Sequence, residues 1–176
     1  MSRLVLLFIA IALGQALGQA APGDRPPNII FLFADDQRAD TIAAHGNPHI
    51  RTPNLDRMAE RGFSFRRNYC AGSFSGAVCV ASRAMLMTGR HWMNLPANRP
   101  ATNWGGATVL PTLLAKRGGY EPFIIGKWHN GKGMLDRSFA NGRSVYMGGM
   151  ANHADFAVQD LKDGELGKER DAGGFS

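Results

Sequence analysis

The hydrophobic pattern changes period several times along the chain. Leu4 to Leu13 is an apolar run of ten residues behind Arg3, and small residues follow as far as Gly18-Gln19-Ala20. A positive lead, a short apolar run and a small-residue end are the layout of a secretory signal peptide, expected over residues 1–20. The run is shorter than the roughly 20 apolar residues a membrane span needs, and no later run reaches that length, so no membrane span is expected. Export to a periplasmic or extracellular space is the corresponding expectation. After the Pro-rich lead-in 21–27, Asn28-Ile-Ile-Phe-Leu-Phe-Ala34 is continuously apolar, β-branched and aromatic, which predicts a strand buried on both faces.

Helical spacing then takes over. Thr52-Pro53 reads as an N-cap with proline in the first helical position, Leu55, Met58 and Ala59 share one face, and Gly62 ends the helix. Phe63-Ser64-Phe65 alternates and predicts a second strand. Ser82 to Met87 predicts the first turns of another helix, closed by Thr88-Gly89-Arg90. Leu110, Leu113 and Leu114 form the stripe of a third, with Pro111 at its start and Gly118-Gly119 at its end. Tyr120 to Ile125 predicts a strand running into Gly126-Lys127-Trp128-His129. The order predicts an α/β fold, a layered sandwich with a mostly parallel central sheet flanked by helices. Beyond His129 the periodicity fades into Gly, Asn and Asp, and 151–176 is expected to be irregular. A stretch this long without elements suggests a truncated fold.

Composition narrows the class. With 44% hydrophobic and 19% charged residues, the chain is an ordinary globular one. Its net charge of +6 comes from basic residues spread along the chain. That describes a basic surface or a field attracting anionic substrates; with no basic stripe or binding motif, no nucleic-acid partner is expected. Cys70 and Cys79 are the two cysteines, and in an oxidising compartment a disulfide between them is the plain expectation.

Three places carry candidate chemistry, each near a strand end or helix start, where ligands bind in open α/β sheets. Asp35-Asp36 offers two hard oxygen ligands for Ca²⁺ or Mg²⁺, or else a helix cap or a solvated pair. Cys79 sits at an expected helix N-terminus, which favours an anion or polarised nucleophile, and Arg83 follows one turn on. A structural cysteine is the alternative there. Lys127 and His129 lie two apart on an extended segment and so point the same way, a cation beside a titratable imidazole, or else two ordinary surface residues.

Taken in order, these pieces resemble the sulfatase family of the alkaline phosphatase superfamily. The family signature, Cys (or Ser)-x-Pro-x-Arg with Thr-Gly-Arg downstream, is matched by Cys79-Val80-Ala81-Ser82-Arg83 and Thr88-Gly89-Arg90, with Ala81 in place of the usual Pro. Asn28 to Asp36 is similar to the family's first strand and metal carboxylates, Thr52 to Asp56 to its first helix, and Gly126-Lys127-Trp128-His129 to its Gly-Lys-Trp-His segment. The resemblance covers roughly residues 26–131, within an expected N-terminal catalytic portion over 26–150.

The resemblance implies a sulfuric ester hydrolase. Cys79 would be converted by a separate formylglycine-generating maturation enzyme to an aldehyde. One hydroxyl of its hydrate attacks sulfur and expels an alcohol; the other collapses to release sulfate. It implies Ca²⁺ (or Mg²⁺) held by Asp35, Asp36 and the group at Cys79, with Arg83 steadying that group, Lys127 bridging to sulfate and His129 bonding its hydroxyl. The substrate would be a sulfated small molecule or glycan. Further ligands of the family come from farther along the chain than Ser176, so a fragment with weak metal binding and little turnover is expected. The alternatives are a phosphate or phosphonate ester hydrolase of the same superfamily, or an exported non-catalytic remnant binding sulfated glycans.

Overall fold

The computed structural model describes residues 26–38, 40–73, 78–96, 103–152 and 155–172; the expected signal peptide lies outside them. The chain divides into two compact units, Met1–Phe33 and Ala34–Ser176. In the first, residues 26–33 are extended but enter no strand ladder, a departure from the strand expected there. The Phe31 and Phe33 rings stand 5.8 Å apart, as period-2 neighbours on extended backbone do. An apolar run sets the conformation; a ladder also needs a partner strand, which no local pattern supplies.

The second unit runs α1 (Pro53–Arg61), α2 (Val78–Thr88), α3 (Leu110–Gly118), β1 (Phe123–Lys127), α4 (Lys132–Ser138), β2 (Asn141–Tyr146), β3 (Ala157–Lys162), β4 (Glu165–Leu166) and β5 (Arg170–Asp171). Helix α1 starts where Thr52-Pro53 predicts, but the Thr52 hydroxyl does not cap it. It accepts from the Ala43 N–H and donates to Asp56 Oδ1, both at 2.8 Å, tying α1 to the short 3₁₀ turn Ala43–His45. Helix α2 begins four residues earlier than expected, so Cys79 lies inside its first turn. Gly89 ends it at φ 63°, with its N–H on the Met85 carbonyl. Helix α3 ends in the same way at Gly119, φ 65°. The expected strand Phe63–Phe65 is an exposed loop.

The α/β class holds. The sheet is mixed: β1–β2 is parallel, joined through α4, while β2–β3, β3–β4 and β3–β5 are antiparallel. This corrects the mostly parallel sheet expected. It also corrects the expectation of an element-poor stretch beyond His129, which carries α4 and four strands. The cause is local. Asp163 and Gly164, at φ 52° and 85°, make the two-residue turn that folds β4 back on β3. The core joins Ala84 of α2, Val109 before α3, Met134 and Leu135 of α4, Ile124, Val145 and Leu161 of the sheet, and the indoles of Trp104 and Trp128, which meet at a tilt. Gly142 is needed where β2 meets β1, because a Cβ there would lie 2.6 Å from Ile124 Cγ2.

Candidate active site

The site residues come from three places on the second unit: the Asp35-Asp36 turn, the first turns of α2, and the end of β1 with the turn after it. Local chemistry sets each one. The Trp128 side chain is 1% exposed and that of Asn130 fully buried, so the chain around them dives into the core. His129 between them is turned outward at φ 65°, a left-handed conformation that costs a non-glycine residue of order 1 kcal/mol or more. The Trp128 N–H donates to the Tyr146 carbonyl at 2.8 Å and holds this turn against β2.

The geometry brings five of the six expected site residues into one polar cluster. Cys79 Sγ lies 3.1 Å from His129 Nδ1. Arg83 donates from Nη1 to the Lys127 carbonyl at 2.9 Å, and its Nη2 is 3.9 Å from Asp35 Oδ2. Lys127 Nζ donates to the same Asp35 oxygen at 2.5 Å. Asp36, at φ 54°, lines the same cavity as Asp35, Cys79, Lys127 and His129, an open space of about 780 Å³. Cys70 and Cys79 are both free thiols, so the expected disulfide is not formed. Ala81 is fully buried in α2.

Burial pulls the His129 pKa below the ordinary histidine value, Lys127 and then Arg83 lower it further, and Asp35 works against them. The shift favours the neutral ring, whose Nδ1 donates or accepts toward the sulfur according to its tautomer. Burial also lowers the Arg83 pKa, opposed by Asp35 and Cys79. A guanidinium keeps its charge under such a shift. Lys127, His129 and the Cys79 sulfur face one cavity together with Asp35 and Asp36, and the buried Arg83 guanidinium stands behind them, an arrangement that suits holding a tetrahedral anion against a nucleophile. Ser144, Tyr146 and Gly149 also line this space, and no local pattern marks them for it. Trp104 is wholly buried in the core and Trp92 donates to the Ala71 carbonyl.

The donor chemistry at Asp35 and Asp36 suits a hard cation; the donor number is small. Among the described residues no three His, Cys, Asp or Glu side chains gather closely enough to hold a metal, and Asp35 is engaged by Lys127 and Arg83.

An α/β protein with a cysteine, a histidine and a cluster of charged side chains gathered beside its sheet is the class these observations define. The chain belongs to the sulfatase family, whose model, Sulfatase, matches residues 27–166. It is similar to N-acetylgalactosamine-6-sulfatase of Canis lupus familiaris, 40% identical over 147 residues, covering 73% of this chain and 26% of that protein. It is also similar to N-acetylglucosamine-6-O-sulfatase of Bacteroides thetaiotaomicron, 34% identical over 130 residues, covering 73% and 22%. Arylsulfatase A of Homo sapiens is 36% identical over 135 residues, covering 72% and 24%. The chain thus spans about a quarter of the length of the curated relatives it matches. No solved structure gives a significant match.

Proposed function

We propose that this chain carries the nucleophile-bearing part of a sulfuric ester hydrolase, with a sulfated small molecule or glycan as substrate. The observation that carries the reading is the pairing of Cys79, in the first turn of α2, with His129 at 3.1 Å, inside a ring of Arg83, Lys127 and Asp35. Cys79 is half-buried, faces the cavity and is free of a disulfide, which suits conversion to formylglycine by a maturation enzyme. The hydrate of that aldehyde supplies two hydroxyls on one carbon, one to act as nucleophile and one whose collapse frees sulfate; a thiol lacks the second. Lys127 faces the cavity as the cation for a sulfate oxygen. Arg83 braces the Lys127 carbonyl and so ties α2 to the end of β1. The neutral His129 accepts a proton through Nδ1.

Asp35 and Asp36 would supply part of the oxygen set of Ca²⁺ or Mg²⁺, which takes about six or more oxygens in all. A bound cation would add Lewis-acid polarisation of the sulfate. It would also replace Lys127 and Arg83 as the main partner of Asp35. Export through residues 1–20 to a periplasmic or extracellular space belongs to the same reading. No helix among the described residues is long and apolar enough to cross a membrane.

The test is mass spectrometry of the Cys79 peptide from protein produced in its native host, followed by rates on aryl sulfate and aryl phosphate esters. Aldehyde at Cys79 and preference for the sulfate support the reading. Thiol alone at Cys79, or preference for the phosphate, would sink it. Among the described residues only part of a metal set is present, and weak or no turnover is expected of the 176-residue chain by itself.

A further inference from the structure

The Trp128 N–H on the Tyr146 carbonyl anchors the backbone beside His129, and the two edges of its ring meet different neighbours. Its Nδ1 edge faces Cys79. Its other edge is covered by the turn that leaves β2: a Cβ on Gly149 would lie 2.2 Å from His129 Nε2 and 2.5 Å from Cε1. The backbone of Gly149 therefore packs directly on the imidazole, and a Cβ there would require the ring to move. Gly148 is confined in the same manner, with a Cβ there 2.4 Å from the Tyr146 hydroxyl oxygen. Neither glycine has a positive φ, so bulk and not backbone conformation calls for glycine at both positions. The turn is pinned at both ends. The Tyr146 hydroxyl donates to the Met150 carbonyl at 2.8 Å, and the Tyr146 ring meets Phe156 edge-on, with centroids 5.3 Å apart.

We propose that the Tyr146–Met150 turn holds the His129 ring in register with Cys79, and that Gly149 is the positioning residue on which this depends. The inference rests on the reading above, in which His129 serves the group at Cys79. It adds a part of the site that acts only through another residue. Backbone on one edge and the Cys79 sulfur on the other restrict the orientations open to the ring, which is how a site keeps a polar group aimed.

The experiment is a double-mutant cycle on the 176-residue chain, with the thiol at position 79 unconverted. Iodoacetamide labelling of Cys79 is followed by mass spectrometry relative to the exposed Cys70 in the same molecule, beside thermal unfolding. Gly149→Ala is expected to lower the Cys79:Cys70 labelling ratio about fivefold, as coupled neighbours do, and to lower the melting temperature. His129→Ala is expected to lower the ratio similarly. Adding Gly149→Ala to His129→Ala is expected to change neither quantity further, because removing the ring opens the space the new methyl needs. Tyr146→Phe, which unties the turn without adding bulk, is expected to give a smaller fall in the ratio.

An unchanged ratio in Gly149→Ala or in His129→Ala overturns the proposal. So does a further loss when the two are combined, or a double variant that fails to fold where His129→Ala folds. None of these readouts requires matured protein or sulfate turnover. Failure to find formylglycine would therefore count against the proposed function and leave this result standing.

Discussion

The segment 40–73 and the segment 103–166 are stabilised by different means. In the first, no described residue is buried; α1 exposes Met58 and is held by the Thr52 hydroxyl and by Asp56 Oδ1, which also accepts from the Ala44 N–H at 2.9 Å. In the second, Trp104, Trp128, Leu135 and Val145 are all but removed from solvent and Phe139 packs edge-on against Trp128. Polar ties set direction and spacing but contribute little net free energy each, about 1 kcal/mol. Apolar burial carries the stability. The cation and imidazole of the site stand on the well-packed side, where a side chain can be aimed.

The largest effect that could break this contrast is Leu135→Ala, expected to cost about 2–5 kcal/mol in urea unfolding, since the side chain is fully enclosed. Thr52→Ala should cost about 1 kcal/mol, by loss of its two hydrogen bonds. Hydrogen exchange should then speed up in α1 while the β1–β2 amides keep their protection. A cost at Thr52 equal to that at Leu135 would remove the distinction.

Acid should act where β3 meets β2 and β5. The Ser144 N–H, and then Arg170, hold the Asp160 pKa below its ordinary carboxylate value. Its contribution is present above the unfolded-state value and is lost as pH falls through the lower folded one. Asp160→Asn should flatten that part of the pH–stability curve; an unchanged slope would show that the bonds at Asp160 carry none of it. The smallest effect is expected at Met58→Ala, within about 0.5 kcal/mol of the parent, because Met58 stays largely exposed.

What could be read in advance follows the same division. The caps and stripes of α1 and α3 and the β-branched run of β1 are local signals, and those elements stand close to where the pattern puts them. Asp35, Cys79, Arg83, Lys127 and His129 were each legible as chemistry, but their proximity is not local: Cys79 meets His129 from 50 residues away. Asn28–Phe33 carried a strand's composition, and composition cannot supply a partner strand. The stretch after His129 misled through its glycines. Gly142, Gly148 and Gly149 read as loop, yet they mark close approaches between backbone and side chain. Lys162-Asp163-Gly164-Glu165 carries a hairpin signal, an Asp-Gly pair, but the alternation flanking it is short.

The Lys127–Asp35 pair closes a loop of 92 residues, whereas the Asp163 N–H reaches Asn141 across 22. On chain statistics alone, the longer closure costs about 1 kcal/mol more. The hairpins beyond His129 can thus assemble while the carboxylates near the start of the unit are still unattached. A chain growing from its N-terminus would present Cys79 and Arg83 well before His129, the residue that faces the sulfur in the folded site.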